Sequence, residues 1–579
     1  MESNFIPTKD KIYKGKSVDD FKELINYCTN EYKNKIAFSY KIDPDSKQPK
    51  YVNITFEQYK KDIEALGTSL LHLGLENKKV AIIAPNRYYW VVSYMAVATS
   101  NIVGVPLDMA LPQVEIESLI LRSNVDAVIY DKKYISIFNK IKENDNSNLK
   151  YYICMDYEQD KEYVLSYNKL VEHGSELIKN GDSSYSNIKI NKDKMALMLF
   201  TSGTTSTSKA VMLSQYNICS NISAMSCLIA PRENDSVLSF LPLHHTLECT
   251  ATYLFCYFSG FRICFCDGLK HISKNMLEYN ISGLVCVPAV LDLMYKRIMK
   301  NIKSSGKLIV FRVMSVLSNL LLKFGIDIRR KAFKSIINGL GGHLRIIIYG
   351  SASSSKEIIK FFNTIGISML QGYGLTETSP VICCENDKYQ RIGSTGFPLH
   401  NQQVKIIDPD EKGIGEIIVK GPNVMLGYYR NEEATMEVLK NGWLYTGDLG
   451  YFDKDGYLYV TGRKKDVIVL KNGKNIYPQE LETLLNKSEN IIESFVYGKP
   501  TNNNDLMICA KIVYDPSNII LKDKSEQEKY NIIYEEIKNI NKQMPGYKYI
   551  REIKITTEPL IKTTTQKIKR HEEMKKINM

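Results

Sequence analysis

Apolar and polar positions follow two alternating patterns along most of the chain. Short runs that are apolar on both faces, such as KVAIIAPN at 79–86 and HLRIIIYG at 343–350, predict buried strands. Longer helical patterns separate them, and YYWVVSYMAVATS at 88–100 predicts such a helix. Further strand patterns lie at 125–131, 151–156, 236–242, 261–267 and 281–288. Buried strands separated by helices indicate mostly parallel sheets covered by helices.

The pattern changes after about residue 400. QVKIIDP, GEIIVKG and GYLYVTG are short, turn-bounded runs that predict a small antiparallel sheet or barrel. From Lys465 onward, two helical patterns (PQELETLLNK and YEEIKNINKQM) alternate with two strand patterns (IESFVYG and LMICAKIVY). We therefore predict an α/β protein with a large N-terminal domain, 1–464, that includes a small β-barrel-like subdomain. A small α+β C-terminal domain follows at 465–579.

Residues 306–341 form an unusual stretch with a helical period and one strongly apolar part. We interpret it as two packing helices, because amphipathic helices are common in any fold. The alternative is a surface that meets lipid or a greasy substrate.

Composition changes this picture little. Hydrophobic residues make up 44% and charged residues 24%, which is typical of a soluble globular protein. We attribute the net charge of +12 to a bias toward Lys, Asn, Ile and Tyr, since the basic residues look spread out. The twelve cysteines include no C-x-x-C spacing, which favours a reducing compartment over a zinc site. With no signal-like or membrane-length apolar run, we expect a cytoplasmic protein without a nucleic-acid partner.

The strongest local motif is LFTSGTTSTSKAVMLS at 199–214, in which a strand enters a loop of small hydroxyl residues that ends at Lys209. Backbone N–H groups and hydroxyls in such a loop can bind phosphate oxygens, and the lysine adds a positive charge. A P-loop requires Gly before its Lys and Ser or Thr after it. Because Ser208 and Ala210 stand there, the chain is not a P-loop NTPase. Alone, such a loop is more often a solvated turn.

A second motif is QGYGLTETSP at 371–380. Gly372 and Gly374 let the backbone approach a flat ligand, and Tyr373 offers a stacking face. Glu377 supplies a carboxylate of the kind that binds Mg²⁺. The simpler alternative is a helix entry capped by one of the threonines.

Two further motifs follow. In WLYTGDLGYFDKDGYLYVTGRKKDVI, Asp448 can accept hydrogen bonds from two ribose hydroxyls, and Arg463 can reach a phosphate or a ribose. In IKTTTQKIKRHEE, at 561–573, a lysine on a hydroxyl-rich tail can neutralise charge during phosphoryl chemistry. Taken singly, these are an ordinary turn aspartate, a surface arginine and a solvated tail.

In residues, order and spacing, the four motifs together resemble the adenylate-forming superfamily of acyl-CoA synthetases, firefly-type luciferases and peptide-synthetase adenylation domains. The resemblance extends from NKIAFSY to KIKR, nearly the whole chain. The region from LPLHHTLE to GSAS looks like bacterial long-chain fatty-acyl-CoA synthetases. It lacks the aspartate that binds an amino group, and Glu248 is read as a helix-face residue, so an amino-acid substrate is not expected. Nothing marks the oxygenation site of a luciferase.

The resemblance implies a role for each matching residue. The nucleotide would be bound by Thr201, Ser202, Gly203, Thr204, Thr205, Lys209, Gly350, Ser351, Ala352, Gly372, Tyr373, Gly374, Thr376, Asp448 and Arg463. Catalytic roles fall on Lys567, Glu377, Thr376, His245 and Lys209. Among these, Glu377 would bind Mg²⁺, His245 would gate the acyl pocket, and Lys567 would bridge the carboxylate and the α-phosphate. Lys465 would be the hinge that makes the C-terminal domain mobile.

Four positions depart from the family pattern. Ser206 and Ala210 replace glycines of the phosphate loop, and Ile561 and Gln566 replace the tail's usual Pro and Gly. They leave open a slow or impaired enzyme.

The expected reaction uses ATP to convert a medium- or long-chain fatty acid to acyl-AMP and then to a coenzyme A thioester. The alternative acceptor is an acyl carrier protein, and a peripheral membrane contact is a further expected partner. A non-catalytic nucleotide- or lipid-binding relative is the third reading. The retained motif lysines and carboxylates oppose it.

Overall fold

The computed structural model describes residues 9–143, 147–201, 208–352, 354–471, 474–488, 490–501, 505–518, 520–563 and 567–578, and all structural statements refer to these residues. The strands, in chain order, are β1 Ile36–Ile42, β2 Lys50–Thr55, β3 Lys79–Ile83, β4 Val103–Pro106, β5 Ala127–Tyr130, β6 Tyr151–Cys154, β7 Val164–Ser166, β8 Met195–Thr201, β9 Lys209–Ser214, β10 Ser236–Ser239, β11 Arg262–Phe265, β12 Gly283–Cys286, β13 Ile346–Tyr349, β14 Ser368–Gly374, β15 Val381–Cys384, β16 Phe397–Pro398, β17 Gln403–Ile407, β18 Gly415–Lys420, β19 Gly427–Tyr428, β20 Leu439–Lys440, β21 Trp443–Phe452, β22 Leu458–Arg463, β23 Ile468–Val469, β24 Asn475–Ile476, β25 Ile491–Pro500, β26 Leu506–Tyr514 and β27 Glu552–Thr556.

The helices are mostly amphipathic and cover the sheets. They are α1 Phe21–Tyr32, α2 Phe56–His72, α3 Tyr88–Thr99, α4 Gln113–Ser123, α5 Ile135–Glu143, α6 Tyr167–Lys179, α7 Ser184–Asn187, α8 Gln215–Met225, α9 Phe255–Phe258, α10 Ile272–Glu278, α11 Pro288–Ser304, α12 Leu308–Lys323, α13 Arg329–Ala332, α14 Lys334–Gly339, α15 Lys356–Thr364, α16 Glu432–Val438, α17 Pro478–Leu485, α18 Glu526–Asn541 and α19 Arg570–Asn578. A π-helix, Leu247–Leu254, precedes α9. Short polar residues begin several of them; for example, Ser214 and Asn217 form a capping box at α8.

Two large sheets form the N-terminal part. One has the strand order β19-β9-β8-β4-β3-β5-β6-β7, and the other has the order β16-β15-β14-β13-β12-β10-β11-β1-β2. Pairing is parallel from β8 to β7 and from β14 to β1. Helix α3 is buried along nearly its whole length, in a core that includes strands of both sheets. The predicted α/β fold class, with parallel-rich sheets covered by helices, is confirmed.

Smaller sheets make up the rest. Strands β17, β18, β21, β20 and β22 form an antiparallel sheet, as the short turn-bounded runs predict. In the C-terminal part, β25, β26 and β27 form a sheet with its own apolar core, built from residues 468 onward. The domain boundary at 464/465 stays a prediction.

The stretch predicted as two packing helices contains α12, α13 and α14. Helix α12 packs by one side only: the Phe311 ring lies 5.3 Å from that of Phe333 and 5.7 Å from that of Phe361. Its other side is exposed and apolar. Among the described residues, no single helix has both the length and the apolarity to cross a membrane; α11 and α12 reach these values only as a pair, bent by 116°.

Candidate active site

A cleft of about 2400 Å³ lies between the large N-terminal part and the C-terminal part. Its volume exceeds the ~300–1000 Å³ of a typical small-molecule pocket, so it has room for a nucleotide and a second substrate. Every sequence-predicted site residue that the structure describes lines this cleft: Thr201, Lys209, His245, Gly350, Ser351, Ala352, Gly372, Tyr373, Gly374, Thr376, Glu377, Asp448, Arg463, Lys465 and Lys567. Ser202, Gly203, Thr204, Thr205, Ser206 and Gln566 lie outside the described residues.

The β8–β9 hairpin fixes the two ends of the predicted phosphate loop. Thr201 and Lys209 are opposite partners at the open end of the hairpin, and the Thr201 hydroxyl donates to the Lys209 carbonyl at 3.3 Å. The Arg122 guanidinium donates to the Ser208 hydroxyl at 3.0 Å, which brings a second cation to this loop. Both cations suit a phosphate ligand.

Glu377 is oriented by a tyrosine that the sequence analysis missed. Strand β19 pairs with β9, which places the Tyr428 ring centroid 4.9 Å from Lys209 Nζ. The Tyr428 hydroxyl donates to Glu377 Oε1 at 2.9 Å, and burial together with the carboxylate raises the pKa of this tyrosine. The other carboxylate oxygen, Oε2, is the remaining acceptor for a cation.

Glu377 lies on a 3₁₀ turn, Thr376–Thr378, so the sequence alternative of a capped turn also holds. The Leu375 N–H donates to the Thr378 hydroxyl at 3.1 Å, which makes Thr378 the capping residue, and Thr376 and Glu377 line the cleft. Mg²⁺ is usually held by one or two carboxylates together with substrate phosphates. Glu377 can supply one such carboxylate, which fits that arrangement. The described residues hold no group of three or more metal-ligating side chains.

Asp448 anchors the predicted ribose site. It lies opposite Arg463 on β21 and β22, and Arg463 Nε lies 2.8 Å from Asp448 Oδ1. The Tyr373 hydroxyl donates to Oδ2, also at 2.8 Å. Each carboxylate oxygen retains a further lone pair, so the oriented group can still accept from two ribose hydroxyls.

The glycines of the predicted adenine site serve different purposes. A Cβ on Gly350 would lie 3.3 Å from the Gly372 carbonyl, and Ser351 has a left-handed backbone with φ +72°. Such conformations are uncommon outside glycine and cluster at functional sites. A Cβ on Gly374 would lie 1.8 Å from the Pro380 carbonyl. Gly374 is therefore required by internal packing, which differs from the ligand approach that we predicted for it.

Lys567 enters the cleft from a short hairpin of the C-terminal tail. The Thr563 N–H donates to the Lys567 carbonyl at 2.8 Å, and the Lys567 N–H donates to the Thr563 hydroxyl at 3.1 Å. The Lys567 side chain is exposed to the cleft, and the walls of the cleft lie around it. Burial and Arg463 lower its pKa, while Asp448 and Glu377 oppose the shift. Its ammonium is therefore within electrostatic range of both carboxylates.

Two departures from the family pattern have visible local reasons. Ala210 is buried in β9, and the extended backbone of a strand does not require glycine at this position. The Ile561 N–H donates to Glu573 Oε1 at 2.6 Å, and that buried glutamate also pairs with Lys511 at 2.8 Å. Because proline has no N–H, isoleucine at 561 adds a bond that anchors the hairpin.

His245 borders the predicted acyl side of the cleft. Its Nδ1 accepts from the Leu247 N–H at 3.3 Å. Burial, followed by His244 and Lys567, lowers the pKa of His245 to about 4, so its ring is neutral at neutral pH. The cleft wall around it is apolar, formed by Met225, Leu228, Ile229, Ala251 and Phe255.

Glu248 is fully buried, whereas the sequence suggested a helix-face residue. Its carboxyl group accepts from Ser239 Oγ at 2.6 Å and from Thr252 Oγ1 at 2.8 Å, and burial raises its pKa to about 8. It lies behind the cleft wall, in the π-helix that follows His245, and is not one of the lining residues. It therefore does not take the place of the missing amine-binding aspartate.

Lys465 lies on the 3₁₀ turn Lys464–Asp466 that links the two parts of the chain. Burial and Arg463 lower its pKa. A neighbouring ion pair, Lys464 Nζ to Glu416 Oε2 at 2.8 Å, ties this turn to the antiparallel sheet. The hinge role of Lys465 stays a prediction.

Comparison with known proteins shows the family of this chain. The family model "AMP-binding enzyme" matches residues 27–429, and "AMP-binding enzyme C-terminal domain" matches 465–578. A chloroplastic long-chain fatty acid–acyl-carrier-protein ligase of Arabidopsis thaliana is 26% identical over 93% of this chain and 83% of its own. Long-chain fatty acid–CoA ligase 6 of Mus musculus is 29% identical over 77% of this chain and 68% of its own.

Solved structures show the same fold. An anthranilate–CoA ligase in complex with anthranoyl-AMP superposes with a TM-score of 0.75 at 18% identity, covering 96% of this chain and 97% of its own. A fatty acyl-CoA synthetase of Mycobacterium tuberculosis gives a TM-score of 0.63 at 20% identity, covering 95% and 96%. The family models and the ligases among the relatives together identify an adenylate-forming enzyme of the acid–thiol ligase class. The chain belongs to the AMP-binding enzyme family.

Proposed function

We propose that this protein activates a medium- or long-chain fatty acid with Mg²⁺ and ATP and passes the acyl group to coenzyme A, releasing AMP and pyrophosphate. One observation carries the proposal. Lys567 of the C-terminal tail lies in the same cleft as Glu377 and Asp448, and close enough to His245 to lower its pKa. This arrangement supports the proposal because a cation of the C-terminal tail, the predicted nucleotide-binding residues and an apolar wall line one cleft.

In the first step, an oxygen of the fatty-acid carboxylate attacks the α-phosphorus of ATP, and the bond to pyrophosphate breaks. Asp448 and the Tyr373 ring hold the adenosine, while Lys209 and the loop before it hold the leaving phosphates. Lys567 offsets the charge that builds between carboxylate and α-phosphate, and positioning does most of the catalytic work. Glu377 would hold Mg²⁺, which neutralises phosphate charge when it is bound.

In the second step, the thiol sulfur attacks the acyl carbonyl, the bond to AMP breaks, and the thiol proton passes to solvent. Rotation of residues 465–579 about Lys465 would withdraw Lys567 and open a path for the thiol. The short turn at Lys464–Asp466 supports this, because few residues have to change conformation there.

The apolar wall beside His245 supports the choice of substrate. Each methylene buried there contributes roughly 0.8 kcal/mol, or about fourfold in affinity, until the pocket is full. We expect kcat/KM to rise from acetate through octanoate to palmitate. The measurement is thioester formation across a panel that includes an aromatic acid, since one structural neighbour is an anthranilate ligase. A maximum at acetate or at the aromatic acid would contradict the assignment.

An acyl carrier protein is the alternative acceptor, because one similar relative is a fatty acid–acyl-carrier-protein ligase. Supplying purified acyl-AMP with either free coenzyme A or a phosphopantetheinylated carrier protein separates the two. Faster transfer to coenzyme A supports the main proposal, and transfer to the carrier protein alone supports the alternative.

A further inference from the structure

Helix α12 exposes an apolar face to solvent. We define the α12 apolar face by the outward residues Ile309, Val310, Val313, Val316, Leu317 and Leu320, which are 42–74% exposed. A helix on the surface of a globular protein normally turns charged and polar residues outward. Large contiguous apolar patches on such a surface mark an interaction site.

The inward side of the same helix is apolar as well. Leu308, Phe311 and Met314 pack against the core beneath, so the orientation of α12 is fixed and its outer face is not an alternative packing surface. Phe324, at the C-terminal end of the helix, is 75% exposed and extends the patch. The face therefore needs a partner that is not part of the described chain.

The chain segment that contains this face is strongly basic. From Pro288 to Gly339, the chain carries eleven Lys and Arg residues against two aspartates, so this segment holds most of the total net charge of +12. Both acids are already paired: Asp292 lies 2.8 Å from Lys296, and Asp327 lies 2.7 Å from Arg329. Net positive charge is thus concentrated here because acidic residues are scarce in this segment, although the 76 Lys and Arg residues themselves occur along the whole chain.

We propose that the α12 apolar face docks on an anionic lipid bilayer, with α12 lying in the plane of the interface. Apolar side chains flanked by exposed Lys307, Arg312 and Lys323 match the acyl boundary and the charged headgroups of such a surface. A second copy of the chain fits poorly, because it would bring the same positive charge against this one. The helix has 16 residues, about 24 Å, against ~30 Å for the hydrocarbon core, so it lies on the membrane and does not cross it.

This inference goes beyond the proposed function and does not depend on it. The test is co-sedimentation of the full chain with vesicles of phosphatidylcholine alone or mixed with phosphatidylglycerol. We expect binding to the anionic vesicles that weakens as salt is raised. Val313→Glu and Val316→Glu should each weaken it by about tenfold, because a charge enters the apolar interface. Lys307→Gln and Lys323→Gln should each cost about fivefold on anionic vesicles only.

The control is Val114→Glu on α4, because Val114 is 76% exposed and Val316 is 71% exposed. It should leave vesicle binding within twofold of the parent. Val316→Ser and circular dichroism of each variant separate lost binding from lost folding, and the serine should also weaken binding. No binding of the parent to either vesicle, or unchanged binding of both glutamate variants, would overturn the proposal. A lipid-free dimer that Val316→Glu dissociates would also overturn it, since a second copy would then cover the face.

Discussion

The hydroxyl of Tyr373 provides a sharp test of the nucleotide site, because the structure separates two contributions of this residue. Its ring is the proposed stacking face for adenine. Its hydroxyl donates to Asp448 Oδ2 at 2.8 Å and so orients the carboxylate that we assign to the ribose. Tyr373→Phe keeps the ring and removes only that bond.

The size of the effect follows from the charge of the acceptor. A hydrogen bond to a charged group contributes about 1.5–3 kcal/mol, or roughly 10- to 150-fold in binding. Arg463 still pairs with Oδ1 in this variant, so the loss reflects a less well oriented Asp448 carboxylate. We expect the Kd of ATP, measured by calorimetry, to rise by about tenfold or more, with little change in kcat at saturating ATP.

A nucleotide that lacks the two ribose hydroxyls shows whether the effect of Tyr373→Phe acts through the ribose. With 2′,3′-dideoxy-ATP, the penalty of Tyr373→Phe should fall to within about twofold, because there is no diol for Asp448 to bind. The control is Tyr459→Phe. Tyr459 is a second tyrosine of the cleft, and its ring stacks on Tyr451. Its substitution should change the Kd of neither ATP nor the dideoxy nucleotide. An equal penalty with both nucleotides, or none with either, would refute the ribose assignment.

Other expected outcomes concern the remaining groups. Lys567→Ala should slow acyl-AMP formation by about 10²–10³ and spare thioester formation from supplied acyl-AMP. Lys465→Pro should do the reverse by restricting the turn, so equal losses in both half-reactions would argue against domain alternation. Glu377→Gln should raise the Mg²⁺ concentration needed for half-maximal rate; an unchanged requirement would remove the metal assignment. The raised pKa of Glu248, about 8, implies stability that is present below about pH 4.5 and is lost as pH rises toward 8. Glu248→Gln should therefore gain about 3 kcal/mol in unfolding free energy relative to the parent between pH 4.5 and 7, and a pH-independent difference in urea titrations would count against it.

Periodicity predicted the strands of the large sheets well. The runs at 79–86 and 343–350 contain β3 and β13, each bounded by polar or turn residues. Apolar runs of this kind report burial on both faces, which a central parallel strand requires. Fold class followed from the same signal, because strands alternate with helices long enough to cross over.

Contacts between distant segments could not be predicted. Tyr428 meets Glu377 only because β19 pairs with β9 across more than two hundred residues. The burial of Glu248 likewise depends on how the π-helix packs behind the cleft wall, and the spacing of its neighbours does not show it. Gly374 was assigned to the ligand on local grounds, although its neighbour in space is the Pro380 carbonyl.

Helix α12 shows a related limit, because its sequence predicts the helix but not which of its sides is covered. Its period predicted a helix correctly, but periodicity cannot show whether both sides of an apolar helix are covered. Only the packing around Phe311 shows which side faces the core. The outward side then becomes a feature that needs its own explanation.

Exchange of labelled pyrophosphate into ATP tests the central claim most directly, because it reports acyl-adenylate formation without any thiol acceptor. The account predicts that exchange requires a fatty acid, increases from acetate to palmitate, and falls sharply in both Asp448→Ala and Lys567→Ala. Exchange that is absent with every acid, independent of added acid, or unaffected by both substitutions would contradict it.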